Sequence, residues 1–322
     1  MGRVTGTVIK IVGNETQVAD DEGRELRCDL RGRLFRKKKI RLAVGDRVEV
    51  EFVEEPDADA AEADEVRGVI EALLPRRNAM RRVRDFKRNQ VLCANVDQVL
   101  VVVAAFDPPY KRAFIDRVLV GLERDGIEAC VVINKVDLAD AEYRAFVDED
   151  LEVYRKLGYR ALLVSATTGE GLEALRTLMS GSLSAFVGPS GVGKSTLLNT
   201  LHPGVSLRTA EVSEADGRGR HTTTSAELIR LPGGGWVVDT PGLRAFGLWD
   251  LGPQELQQGF RELLDVGQSC KFRNCAHDQE PRCAVRAAVE AEEIDEERYL
   301  SYLKLREEAL ASEAERQAAR RR

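Results

Sequence analysis

Five short stretches of this sequence carry residues whose types and spacing make chemistry possible. GPSGVGKS, from Gly188 to Ser195, has the form of a phosphate loop. Its glycines let backbone N–H groups close around phosphate oxygens, and the helix that follows offers its positive end. In that reading Gly188, Pro189, Ser190, Gly191, Val192 and Gly193 wrap the phosphates. Lys194 reaches the β- and γ-phosphates, Ser195 ligates Mg2+, and Thr196 lies in the first helical turn. DTPG supplies Asp239, which can hold Mg2+ through water, and Gly242, whose N–H can sense the γ-phosphate.

NKVD (Asn134 to Asp137) and the pair Ser165–Ala166 supply base recognition. Asp137 accepts from guanine N1–H and N2–H2, donors that the adenine edge lacks, so a buried carboxylate here discriminates strongly between bases. Lys135 lies over the base, and the Ala166 N–H donates to O6. The last stretch is Cys270-x4-Cys275-x-His277-x5-Cys283. Three thiolates and an imidazole suit tetrahedral Zn2+, and a full shell leaves no position for a catalytic water. The metal is therefore expected to be structural, stapling a segment too polar to fold alone.

Each motif needs an element to hold it. From Gln90 onward the apolar runs VDQVLVVVAAF, IEACVVINK, YRALLVSA, SLSAFVGPS and GWVVDTPG end at polar or glycine-bearing turns. Continuous apolar strands imply a parallel sheet covered on both faces, with ligands at the carboxyl ends of the strands. Helices are expected at 110–124, 140–157 and 193–201. Before this, five short β-rich runs within the first 72 residues predict a small barrel of OB type, with an SH3-like barrel as the other option. The expected organisation is multidomain: an OB-fold at 1–72, a basic linker at 73–90, an α/β P-loop GTPase domain at 91–252 and a helical zinc-binding domain at 253–322.

The motif vocabulary is that of the TRAFAC-class GTPases, but the order is unusual. NKVD and Ser165–Ala166 precede GPSGVGKS, GRGRHTTT and DTPG, whereas the common order begins with the phosphate loop. This order resembles the circularly permuted GTPases. With the N-terminal barrel and CKFRNCAHDQEPRC, the chain is similar to the RsgA family over essentially its whole length. That resemblance implies a GTPase that binds the small ribosomal subunit and its rRNA late in assembly, with hydrolysis driving release. It also assigns GRGRHTTT to the first switch and makes His221 the catalytic candidate. Many GTPases place a Gln after Asp-x-x-Gly to orient water, but here Leu243 stands there. One of Thr222, Thr223 and Thr224 completes the Mg2+ shell, Thr223 being favoured. Arg282 departs from the family, which commonly has Gly at that position.

The net charge of −6 hides a polar distribution. RGRLFRKKKIR offers Arg31, Arg33, Arg36, Lys37, Lys38 and Lys39 as RNA-binding candidates, while Glu51 to Glu65 is acidic. No apolar run approaches the roughly 18–20 residues that span a bilayer. Scattered cysteines and the absence of a signal-like N-terminus lead to the expectation of a cytoplasmic monomer that contacts no membrane. Two other functions compete: a GTP-regulated RNA-binding protein in which nucleotide is only an effector, and a GTPase gating an RNA-modifying enzyme. With three His and no second catalytic constellation, the latter has little support. A P-loop ATPase or kinase is disfavoured by Asp137.

Overall fold

A computed structural model describes residues 2–13, 15–31, 41–53, 67–85, 88–204, 226–239 and 252–320. Strands β1 (Arg3–Val12), β2 (Glu15–Asp20), β3 (Glu25–Leu30), β4 (Arg47–Phe52) and β5 (Arg67–Leu73) alternate inward apolar and outward polar residues. Val8, Val18, Leu26, Cys28, Val48, Val50 and Ile70 fill the interior. The strands pair in the order β1-β2-β3-β5-β4, and β4 returns to β1, closing the expected OB-type barrel. The β3–β5 pair is parallel, because the chain from β4 re-enters beside β3 rather than beside its own neighbour alone.

The stretch expected as a basic linker is partly folded. β6 (Ala79–Asp85) and β7 (Arg88–Ala94) form an antiparallel ribbon. Its base is apolar: Ala79, Met80, Cys93 and Ala94 are buried, a feature masked in the sequence by the surrounding arginines.

The central sheet contains β8 (Gln98–Ala104), β9 (Glu128–Asn134), β10 (Arg160–Leu163), β11 (Leu183–Val187), β12 (Glu227–Arg230) and β13 (Trp236–Asp239). Their order is β10-β9-β8-β11-β13-β12, parallel except for β12. Every residue of β8 and β11 is buried, as strands covered on both faces require. Helices α1 (Arg112–Asp125) and α2 (Ala141–Lys156) cover the face bearing Val99, Val101 and Val103. Helices α3 (Leu172–Met179) and α4 (Lys194–Leu201) cover the opposite face, bearing Leu100 and Val102.

The C-terminal module comprises α5 (Pro253–Gln258), α6 (Arg261–Gly267), α7 (Ala284–Glu290) and α8 (Glu296–Arg320). It has its own core of Leu256, Phe260, Leu263, Val285, Tyr302 and Leu305, joined by Val120 from α1. So α1 is shared. One side of it packs on the sheet and the other on the C-terminal module.

Candidate nucleotide and metal sites

The phosphate loop follows β11 and leads into α4, as its chemistry requires. Two of its glycines are fixed by close approach. A Cβ on Gly188 would lie 2.0 Å from the Val102 carbonyl oxygen, and Gly193, at φ +88°, would meet Asn134 Nδ2 at 2.4 Å. Gly193 also N-caps α4 without a side-chain cap, so the first-turn N–H groups remain directed to an anion. The Lys194 ammonium donates to the carbonyls of Gly188 and Pro189 at 2.8 and 2.6 Å, which hold it over the loop.

Asn134, at the end of β9, is the joint between motifs. Its Nδ2 donates to the Val192 carbonyl at 2.9 Å, and its Oδ1 accepts the Ala166 N–H at 3.2 Å. Buried to 1% exposure, it ties the base-recognition turns to the phosphate loop. The Ala166 N–H, expected to meet guanine O6, donates to Asn134 in this structure. Lys135 turns out of the strand at φ +61°, and its ammonium donates to the Asp107 carbonyl. Asp137 accepts from Ser165 Oγ at 2.6 Å through Oδ1. Its Oδ2 has no hydrogen-bond partner among the described residues. The carboxylate is exposed rather than buried, so discrimination by it would require a base to cover it and strip its water. Ser165 itself is fully buried and also accepts the N–H groups of Thr167 and Thr168 at 3.2 and 3.0 Å, fixing the turn that orients Asp137.

The cysteine cluster closes in space. Ligand atoms of Cys270, Cys275, His277 and Cys283 all lie within 4.8 Å of one another. Cys270 Sγ is 3.9 Å from Cys283 Sγ, and both sulfurs are 3.5 Å from His277 Nδ1. Tetrahedral zinc at a Zn–S distance of about 2.3 Å sets neighbouring sulfurs about 3.8 Å apart, so the donor set and its spacing fit that ion. Burial pushes the Cys275 thiol up to about 12, so a metal must displace its proton. The surroundings hold the ligands. Ala284 N–H donates to Cys270 Sγ at 3.3 Å, and the Glu280 carboxylate accepts the N–H groups of Ala276 and Asp278. Tyr299 and Tyr302 donate to the carbonyls of His277 and Ala276, each at 2.7 Å. Arg282 has φ +61°, a left-handed conformation that glycine adopts at little cost. That accounts for the glycine expected there.

Residues 73–249 match the family described as RsgA GTPase, and residues 5–58 match the RsgA N-terminal domain. The chain belongs to the RsgA GTPase family. The small ribosomal subunit biogenesis GTPase RsgA of Moorella thermoacetica is 44% identical over 308 residues, spanning 96% of this chain and 98% of that one. Its counterpart in Bacteroides fragilis is 39% identical over 308 residues, spanning 94% and 96%. Among solved structures, YjeQ from Thermotoga maritima has a TM-score of 0.80 at 38% identity, covering 96% of this chain and 99% of that one. YloQ, a circularly permuted GTPase, has a TM-score of 0.75 at 30% identity, covering 96% of each chain.

In this RsgA-family GTPase, Asp239 ends β13, the strand paired beside β11 and its phosphate loop. His221, Thr223, Gly242 and the basic candidates Arg33, Arg36, Lys37, Lys38 and Lys39 lie outside the described residues. Arg31 is described, and its guanidinium pairs with Glu71 rather than standing alone. Sequence reasoning missed the supports: Asp107 beneath Lys135, and Glu280, Tyr299 and Tyr302 around the metal cluster. Glu280 left a trace in the EP before Cys283, but the tyrosines come from α8 and left none. No described helix is long and apolar enough to cross a membrane.

Proposed function

We propose that this chain hydrolyses GTP in the biogenesis of the small ribosomal subunit, binding the subunit and its rRNA and leaving it on hydrolysis. The observation that carries the reading is the join at Asn134, which brings a guanine-reading turn and a phosphate loop into one site despite their inverted order. In this reading Asp137 and Lys135 hold guanine, the loop from Gly188 to Gly193 with Lys194 holds the phosphates, and Ser195 with Thr223 holds Mg2+. The ion would neutralise charge developing on the phosphates. His221 is the candidate for orienting water, since Leu243 cannot. One structural Zn2+ sits in the cysteine cluster, and the protein acts as a cytoplasmic monomer.

GTP turnover titrated with purified small subunits, large subunits and bare RNA tests this. Slow basal turnover should rise with small subunits alone. No response to small subunits would remove the ribosomal reading and favour nucleotide as a mere effector. Base selectivity is checked separately: Asp137→Asn should shift preference from GTP toward xanthosine triphosphate, and equal binding of ATP and GTP by the unaltered protein would refute the assignment of Asp137.

A further inference from the structure

The corner between β8 and α1, residues 105–111, touches the nucleotide site twice. The Lys135 ammonium donates to the Asp107 carbonyl, and Pro108 Cδ lies 3.7 Å from where a Cβ on Gly191 would sit. Its start is pinned by the sheet: the Ala105 N–H donates to the Asn134 carbonyl at 2.8 Å, and Tyr143 donates to the Ala105 carbonyl at 3.1 Å. Its far end is pinned by charge. Tyr110 donates to the Asp150 carboxylate, and Arg112 pairs with Asp150 at 3.0 Å and with Asp295 at 2.5 Å.

Asp295 belongs to the C-terminal module, so a residue beside the metal-bearing helices holds the segment that seats the guanine-facing lysine. The Arg112 and Asp150 side chains are only 11% and 9% exposed, and Asp295 is 29% exposed, so the arginine is held in a largely buried carboxylate cluster that reaches the module through Asp295. One turn further along, Asp116 of α1 binds Arg298 of α8 at 2.7 Å with both side chains fully buried, so α1 cannot shift without the module. A lysine over a base works through position: its stem packs on the ring while the ammonium is tethered. If the tether point drifts, the stem no longer covers the base.

We propose that Arg112, held by Asp295, is a positioning residue for nucleotide binding. Through the 105–111 corner, the C-terminal module sets where Lys135 lies and thereby sets affinity for the guanine nucleotide. The proposal rests on the guanine-site reading above.

The test uses the full zinc-loaded chain and fluorescence titration with N-methylanthraniloyl-GDP, alongside GTPase kinetics. Arg112→Gln should weaken nucleotide binding by about fivefold, the low end of ordinary coupling between sites. KM should rise while kcat at saturating GTP stays unchanged, since the phosphate chemistry is untouched. Asp295→Asn should move affinity the same way by less. Asn is as good an N-cap as Asp, so it keeps the bond from the Arg298 N–H, 2.9 Å here, and the start of α8 stays intact. Zinc content of both variants and the melting of Asp295→Asn should match the unaltered protein, whereas Arg112→Gln, which strands the Asp150 carboxylate, should melt lower yet remain folded at the temperature of the titration.

The decisive variant is the double. Lys135→Met alone should weaken binding, and adding Arg112→Gln to it should cost nothing more, because the arginine acts through the lysine. Additive losses would overturn the proposal, and so would Arg112→Gln binding nucleotide as tightly as the unaltered protein. If Lys135→Met itself binds normally, the guanine-site assignment fails and takes this inference with it.

Discussion

The GTPase domain meets its two neighbours through seams built from different materials. The barrel seam is mostly main chain. β1 bridges β12 at Lys10 and Glu227, the Ala94 N–H donates to the Val44 carbonyl at 2.9 Å, and Asn95 Nδ2 donates to the Gly45 carbonyl at 2.8 Å. A bulge between Val8 and Lys10 turns Ile9 out of the barrel and into the core beneath the central sheet. The C-terminal seam is built of side-chain charge. Arg298 is fully buried and binds Asp116 at 2.7 Å and Glu262 at 2.6 Å, with Tyr154 donating to Asp116 at 2.9 Å. Arg112 to Asp295, Arg117 to Glu308 and Arg261 to Glu123 extend it. Backbone hydrogen bonds tolerate most side-chain changes provided the chains can approach. Buried charges tolerate almost none, because removing one partner strands the other. The contrast teaches where each seam is vulnerable.

Removing the metal should have the largest effect, on the charged side alone. Cys275→Ser, or chelation, should unfold the C-terminal module, since structural zinc contributes about 10–16 kcal/mol in small zinc-finger peptides. Metal analysis and limited proteolysis should show zinc lost and cleavage confined to residues beyond 252. Unchanged folding without zinc would break the account of this module.

Arg298→Ala comes next. It leaves the Asp116 carboxylate at 0% exposure without its cation and should cost about 3–5 kcal/mol in denaturant unfolding. Burial already raises the pKa of Asp116 against the pull of Arg298, so without the arginine it should rise further and the carboxyl should protonate more readily. A raised native pKa means this group favours folding more at low pH. The deficit of Arg298→Ala should therefore shrink as pH falls, and a pH-independent deficit would sink that explanation.

On the other seam, Gly45→Ala should be the costly change, although it adds only a methyl group. Gly45 has φ +82°, and a Cβ there would lie 2.0 Å from the Ala94 carbonyl oxygen. Backbone strain alone costs about 1–3 kcal/mol, and the seam must open to relieve the clash. Thermal unfolding should separate a barrel transition from the rest. Lys10→Met should be the mildest. The Lys10–Glu227 pair is 27% and 31% exposed at 2.8 Å, so losing it should cost less than about 1 kcal/mol. A larger loss would mean that the barrel seam depends on charge after all.

Much of this protein is legible in its residues alone. The phosphate loop, NKVD, the serine-alanine turn and the cysteine cluster are local: each chemistry lies within a few residues of chain, next to the strand or turn that presents it. The barrel is legible because period-two alternation in runs such as RVEVEF states which face is inside. Permuted order hides nothing, since the identity of each motif does not depend on its place in the chain.

What only the tertiary structure decided are contacts between distant residues of ordinary appearance. Asp116 and Arg298 are 182 positions apart, each in a helix where a charge reads as a solvent-facing residue. Asn134 reads as part of a base-reading turn, and only the fold shows that its buried side chain is also linked to a loop 58 positions away. The ribbon at 79–94 looked like a linker because its arginines outweigh the few apolar residues at its base. In each case the sequence determined the capacity to bond, and the fold alone determined the partner. A side chain's burial, and so the energy of its bonds, depends on what the rest of the chain places against it.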